Sequence, residues 1–171
     1  SDILFTGIQN IQLFDAVVAQ QKNYEIKLVA QARKLANGKV AAFVLPQFVR
    51  HDDPLVFVKN EYNGAVIESG FADRQFFYGK GAGSFPTASA VLSDIAALRY
   101  DYRYEYKKLY HHLPGTITTD FYVNIYMSLG ENNLLPEHEF EIIEKHEGQG
   151  GKQYITGIIH FTKLINNSFW Q

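Results

Sequence analysis

The stretch "GKGAGSFPTASAVLSDI", residues 79–95, decides how this chain is interpreted, because three glycines in five residues lead directly into small and apolar residues. Apolar side chains then recur at helical spacing, at Ala88, Val91, Leu92, Ile95 and Leu98. Ser84 is a candidate N-cap, and Pro86 falls near the first turn, where its missing N–H costs nothing. The pattern predicts a helix from about 86 to 99, preceded by a glycine loop.

This glycine loop has two interpretations. Gly79, Gly81 and Gly83, with Ala82 between them, leave a bare backbone beside the positive end of a helix, where an anion or the polar edge of a ligand can approach. Alternatively, the glycines only make a tight turn, and the alanines of the helix allow close packing. The loop lacks the βαβ context and the acidic residue of a classical dinucleotide fingerprint. The residues alone leave both interpretations open.

The segments before the loop predict helix and sheet in succession. Apolar residues from 8 to 18 have helical spacing, which the polar Lys22-Asn23 should end. Alternation begins at Tyr24, and Asn37-Gly38 predicts a hairpin with a type I′ turn and a return strand over 39–49. Two further strands are expected in "NGAVIESGF" and "RQFFYG", just before the loop.

The segments after the helix differ in character. Tyrosines alternate with charged residues over 100–107, and "LPGT" at 113–116 marks the best candidate boundary. A strand over 120–127 and a hairpin around Gly148–Gly151 predict a small antiparallel sheet. The expected fold class is therefore α+β, a mixed sheet with helices on one face plus a small antiparallel C-terminal β-rich region. The expected domains are residues 1–112 and 113–171.

Composition excludes several classes of function. The chain has 171 residues, no cysteine and a formal charge of −2, and no apolar run approaches the roughly 20 residues that cross a bilayer. Disulfides and thiolate catalysis are excluded, and neither nucleic acid nor a membrane is an expected partner. Cytoplasm is the expected location. Because Met127 is the only methionine and the chain opens at Ser1, we expect it to be a piece of a longer protein.

No other cluster predicts a reactive centre. The histidines, His51 and His138 among them, lack the spacing that places two metal ligands on one helical face, so no metal site is expected. The acidic run from Glu137 to Glu144 is typical of a solvated strand face. The alternating tyrosines resemble a stacking platform for single-stranded nucleic acid, but neighbouring acidic residues cancel the basic charge. No nucleophile identifies itself, and no catalytic residue is assigned.

The loop closely resembles the signature of homoserine dehydrogenases: Gly-x-Gly-Ala-Gly, then Pro-Thr-Ala-Ser-Ala-Val, then Asp-Ile. Here these are residues 79–83, 86–91 and 94–95. Flanking stretches agree in order, namely "SDILFTGIQNI", "IKLVAQA" and "DPLVFVKNEYNGAVI". The resemblance covers about residues 1–100, and one departure from it is Gly64, inserted between Asn63 and Ala65.

The resemblance implies an NAD- or NADP-dependent oxidoreductase that interconverts aspartate 4-semialdehyde and homoserine on the route to threonine and methionine. It implies that the nucleotide-binding domain and the catalytic lysine and aspartate precede the stretch at which this chain opens, so the fragment is expected to be inactive alone. Gly79, Gly81, Ala82, Gly83 and Thr87 are implied to lie near the nicotinamide end of the cofactor. A homodimer is expected.

The C-terminal third is similar only in outline to the regulatory ACT domains of the family. It lacks their helix and their Pro-Gly-Val-Leu turn, because Leu113-Pro114-Gly115 is misplaced for that turn. We therefore expect a degenerate ACT-like region without clear amino-acid feedback. The alternative to an enzyme part is a non-enzymatic regulatory or dimerisation module.

Overall fold

The computed structural model describes residues 3–102, 115–130 and 135–166. The chain divides into two compact units, one formed by residues 1–48 with 114–171 and the other by residues 49–113. The secondary structure is α+β, with mixed and antiparallel sheets and few helices, so the expected fold class is confirmed at that level.

The first unit opens with a three-stranded sheet and one helix. Its elements are β1 (Leu4–Phe5), α1 (Leu13–Gln21), β2 (Tyr24–Lys34) and β3 (Val40–Arg50), and the strand order is β1-β3-β2, with β1 parallel to β3.

Helix α1 begins later than its apolar spacing predicts. The N–H of Gln12 donates to Oδ2 of Asp15 at 2.7 Å, which closes a capping box and fixes the first turn there. The helix ends as predicted, because Lys22 is the C-cap and Asn23 has a φ of 64°.

The hairpin between β2 and β3 is confirmed, but its turn is not type I′. Gly38 has a φ of 81°, whereas Asn37 is not among the described residues with positive φ. The N–H of Leu35 donates to the carbonyl of Lys39 at 2.8 Å, and the N–H of Gly38 donates to the carbonyl of Leu35 at 2.9 Å. The connection is therefore a longer loop with a single left-handed glycine, because the closing pair lies outside the two predicted turn residues.

A second sheet belongs to the same unit. It contains β6 (Tyr122–Ser128), β7 (Phe140–Glu147) and β8 (Gln153–His160) in the order β6-β8-β7, with both neighbouring pairs antiparallel. The predicted strand and hairpin are thus confirmed. The chain after β8 forms a short helix, α3 (Phe161–Ile165), where the sequence pattern had predicted the strand to continue.

The core of this unit joins the two ends of the sequence. Its buried side chains come from the first strands and from the C-terminal segment, namely Leu4, Ala41, Phe121, Leu135, Ile159, Phe161 and Leu164. The Phe121 and Phe161 rings stack with centroids 4.4 Å apart, and Val40 forms a parallel bridge to Ile117. The C-terminal segment therefore contributes to the same hydrophobic core as β1 and β3.

The second unit carries the glycine loop. Strands β4 (Tyr62–Ser69) and β5 (Asp73–Lys80) pair antiparallel along their whole length, as predicted, and α2 (Ser84–Arg99) confirms the predicted helix. The N-cap of α2 is Gly83, not Ser84, because the N–H of Thr87 donates to the carbonyl of Gly83 at 3.1 Å.

Gly64 lies in an unbroken register opposite Tyr78, so this departure from the family pattern causes no bulge. A Cβ at Gly64 would lie 2.5 Å from Cγ2 of Val58 and 2.9 Å from Cε2 of Phe76, so a larger residue here would require one of these side chains to shift.

Several predictions fall outside the described residues. These are the boundary at 112/113, the "LPGT" segment up to residue 114 and the alternating tyrosines beyond Tyr102. The domain limits and the ACT-like character of the C-terminal sheet stay predictions.

Candidate functional site

The glycine loop lies at the end of the β4–β5 hairpin, where β5 leads into α2. The structure gives a different reason for glycine at each of the three positions. Gly79 is exposed on β5, opposite Asn63, and an added Cβ there would meet no atom within 4 Å. Gly83 has a φ of 116°, a backbone conformation that residues other than glycine rarely adopt. Backbone geometry thus explains Gly83, whereas nothing within the described structure occupies the space beside Gly79.

Gly81 is explained by the protein itself. A Cβ at this position would overlap the side-chain amide of Asn63, coming within 2.6 Å of its Cγ atom. The N–H of Gly81 also donates to the backbone carbonyl of Glu61 at 3.1 Å. The Asn63 side chain therefore occupies the space where a side chain at position 81 would begin, although Gly81 itself is exposed.

An open cleft of about 690 Å³ lies against the loop and the first turns of α2. It is lined by Glu61, Lys80, Ala82, Gly83, Ser84, Phe85, Pro86 and Ser89. The backbone N–H groups of Ser84 and Phe85 precede the first intrahelical bond and so have no partner within the helix. The arrangement offers polar backbone donors beside the apolar side chains of Phe85 and Pro86, which suits the polar edge of a planar ligand.

A charged pair stands at the rim of this cleft. Nζ of Lys80 lies 2.9 Å from Oε1 of Glu61 and 5.3 Å from the centroid of the Tyr62 ring. The hydrogen bond and the charge of Lys80 lower the pKa of Glu61, and the hydrogen bond and charge of Glu61 raise the pKa of Lys80. Both groups are therefore ionised at neutral pH, and the lysine charge is largely neutralised locally.

The five predicted site residues are only partly brought together. Ala82 and Gly83 line the cleft, whereas Gly79, Gly81 and Thr87 do not. Thr87 is exposed one turn into α2. Their assignment to a cofactor stays a prediction.

Sequence reasoning missed Glu61 and Lys80. Lys80 stands inside the glycine motif and pairs with Tyr62 in the hairpin register. Glu61 is the residue before Tyr62, so extending the predicted strand pairing by one residue would have placed Glu61 near Lys80.

Apart from the contact of Asn63 with Gly81, the loop is open to solvent. Gly79, Gly81, Ala82 and Gly83 are all exposed, and α2 has no buried residue along its length. Its apolar side chains are exposed as well, with Phe85 at 87% and Leu98 at 71%. Within the described unit, the backbone between Tyr78 and Pro86 is accessible and has a cleft beside it.

The described residues contain neither a candidate metal site nor a candidate membrane span. No group of three or more histidine, aspartate or glutamate side chains is arranged to hold a metal ion. No helix in the same residues combines the length and apolar character needed to span a membrane.

Comparison with known proteins gives one family. The family model for homoserine dehydrogenase matches residues 1–96. The chain is 42% identical over 98 residues to the homoserine dehydrogenase of Corynebacterium glutamicum, a match that covers 55% of this chain and 22% of that protein. It is 34% identical over 136 residues to the Mycobacterium leprae homoserine dehydrogenase, covering 72% of this chain and 31% of that protein.

Solved structures extend the likeness to the C-terminal region. The crystal structure of S. aureus homoserine dehydrogenase matches with a TM-score of 0.60 at 25% identity, over 93% of this chain and 42% of that chain. A homoserine dehydrogenase from Thiobacillus denitrificans matches in fold, with a TM-score of 0.64 at 19% identity, over 95% of this chain and 42% of that chain. The chain thus spans less than half the length of the solved structures it matches.

The family model covers 96 of the 171 residues, including the whole glycine motif up to Ile95. The exposed loop, the paired strands before it and all but the last turn of α2 lie within that match. The chain belongs to the homoserine dehydrogenase family.

Proposed function

We propose that this chain is part of an NAD- or NADP-dependent homoserine dehydrogenase that interconverts L-homoserine and L-aspartate 4-semialdehyde. The observation that carries the proposal is the accessible glycine loop, with a cleft beside it, inside the segment that matches the family. The alternative, a non-enzymatic regulatory or dimerisation module, is not favoured, because the family likeness includes the loop itself.

Two features of the loop support placing the nicotinamide end of such a cofactor beside it. Gly79 leaves open space at its α-carbon, and the N–H groups of Ser84 and Phe85 are directed by the start of a helix. The bound cofactor would supply the hydride acceptor or donor for the reaction. In this proposal the chain allows close approach at Gly79 and donates hydrogen bonds at the start of α2, and it moves no proton.

The exposed apolar face of α2 supports a further part of the proposal. A helix with Leu92 and Ile95 more than half exposed leaves apolar area in water, which a stable protein usually covers. We infer that the remainder of the enzyme, including the nucleotide-binding domain and the catalytic groups, covers this face. The 171-residue chain alone is therefore expected to be inactive.

The C-terminal sheet is proposed to be a reduced ACT-like region. Its order β6-β8-β7, with β8 antiparallel to both neighbours, supports that relationship. Its buried residues Ile159 and Phe161 belong to the same core as Leu4, so it is expected to act as a structural part of the unit.

The test is an assay of homoserine-dependent reduction of NAD⁺ and NADP⁺, followed at 340 nm. It compares the 171-residue chain with the same chain preceded by the sequence encoded upstream in its gene. We expect turnover only from the longer protein. Absence of turnover with either cofactor from a folded longer protein would overturn the proposed reaction. Turnover by the 171-residue chain alone would overturn the expected inactivity and leave the reaction standing.

A further inference from the structure

Glu61 holds the start of the glycine loop at two points. Its carboxylate Oε1 lies 2.9 Å from Nζ of Lys80, and its backbone carbonyl accepts the N–H of Gly81 at 3.1 Å. Two consecutive residues at the point where β5 becomes the loop are therefore tied to one residue that precedes β4. A tie of this kind fixes the direction in which the chain leaves the hairpin.

Aromatic stacking supports the same corner of the hairpin. Nζ of Lys80 lies 5.3 Å from the centroid of the Tyr62 ring, and that ring stacks on Tyr78 with centroids 4.7 Å apart and planes 4° apart. Lys80 therefore has a carboxylate on one side and an aromatic face on another, which restricts its rotamers more than an ion pair alone. Asn63, which follows Tyr62 on β4, packs against Gly81.

Stability alone does not account for this arrangement. The side chains of Glu61 and Lys80 are 42% and 47% exposed, and exposed ion pairs contribute little to the free energy of unfolding. Both residues also line the cleft, together with Ala82 and Gly83. The pair therefore lies where a small change in the direction of the loop would change the shape of the cleft.

We propose that Glu61 and Lys80 are positioning residues, whose ion pair sets the orientation of the loop over 81–83 and of the backbone donors at the start of α2. This inference rests on the proposed function, in which that loop meets the nicotinamide end of the cofactor. Neither residue takes part in hydride or proton transfer. Their effect is on how well the cofactor fits the cleft.

The test uses Glu61→Gln, which removes the charge and keeps the shape, and the exchanged pair Glu61→Lys with Lys80→Glu, which restores an ion pair. The matched control is Glu68→Gln. Glu68 also pairs with a cation of β5, since Oε1 of Glu68 lies 3.2 Å from Nε of Arg74, but at the opposite end of the same hairpin. All variants are made in the chain that includes its upstream sequence.

Two measurements are combined. In steady-state kinetics, Glu61→Gln is expected to raise the KM for the nicotinamide cofactor about two- to five-fold, in keeping with the loss of one exposed pair. The KM for homoserine is expected to stay unchanged. The exchanged pair is expected to return the cofactor KM to within about two-fold of the wild type. Hydrogen exchange of the Gly81 amide, measured without any ligand, is expected to be faster in Glu61→Gln than in Glu68→Gln.

The outcomes separate this inference from the proposed function. If the wild-type protein turns over but Glu61→Gln and Glu68→Gln have the same cofactor KM, the positioning role is overturned. It is also overturned if the Gly81 amide exchanges no faster in Glu61→Gln than in Glu68→Gln. If the exchanged pair fails to restore the KM, the role of the ion pair is overturned as well. A wild-type protein that does not turn over at all overturns the proposed function and the positioning role together.

Discussion

The sharpest prediction concerns Gly79, the one glycine of the loop whose bare α-carbon faces open space. A Gly79→Ala substitution places a methyl group where no atom lies within 4 Å. Gly79 is also not among the described glycines with positive φ, so alanine can adopt its backbone conformation. Such a substitution usually stabilises the native state by about 0.4–1 kcal/mol, because it restricts the unfolded chain. The fold should therefore tolerate the change.

The proposed ligand should not tolerate it. A methyl carbon has a van der Waals radius of about 2 Å, so a flat ring packed on the bare backbone would have to move outward by about 1 Å or more. A misplacement of about 1 Å in a reacting geometry costs on the order of 100-fold. We expect kcat/KM for homoserine oxidation to fall by about 100-fold, equivalent to about 2.7 kcal/mol of transition-state stabilisation.

The assay is steady-state reduction of NAD⁺ or NADP⁺ by the chain with its upstream sequence, beside a urea denaturation of each variant. The control is Gly70→Ala, the same substitution in equally open space, in the turn at the opposite end of the β4–β5 hairpin. Gly70→Ala should retain wild-type kinetics. If Gly79→Ala retains kcat/KM within two-fold of the wild type, Gly79 is not an approach surface for the cofactor.

Three further predictions concern packing and pH. Gly81→Ala should lower the free energy of unfolding by about 1 kcal/mol through its overlap with Asn63, and adding Asn63→Ala should recover that loss in a urea denaturation series. In Gly157→Ala the new Cβ would lie 2.5 Å from the backbone carbonyl oxygen of Ile142. This substitution should lower the free energy of unfolding by about 3 kcal/mol, because the neighbouring strand cannot move aside. A loss below 0.5 kcal/mol would contradict this prediction. Tyr126→Phe removes a 2.8 Å hydrogen bond to the buried Asp15 and should lower the free energy of unfolding by about 1.5 kcal/mol at pH 7. Burial and this hydrogen bond raise the pKa of Tyr126 above its usual 10.0. The stabilisation of the fold by Tyr126 is therefore complete below about pH 10 and declines above it, so the difference in unfolding free energy between the wild type and Tyr126→Phe should narrow above pH 10.

Local patterns predicted most of the secondary structure. Helical spacing predicted α2, and alternation predicted the strands of the β4–β5 and β7–β8 hairpins, because these periods reflect interactions between residues near in sequence. The start of α1 was missed by several residues. It depends on the carboxylate of Asp15 accepting the N–H of Gln12, which the apolar pattern does not record.

The candidate site was predicted only in part. The glycine motif located the loop and its bare backbone, but it treated all three glycines as equivalent. Asn63 covers Gly81 and Glu61 reaches Lys80 only because β4 and β5 pair in one register. Register is set by cross-strand contacts and is not encoded in the loop's own residues.

The sequence by itself determined the kinds of element, their order and the family to which the chain belongs, because composition, periodicity and motif spacing are properties of neighbouring residues. Only the tertiary structure decided that Gly79 faces open space while Asn63 contacts Gly81, and that the C-terminal segment shares a core with β1 and β3. Those outcomes depend on which distant segments come within van der Waals distance, and that distance is fixed by packing of the whole unit.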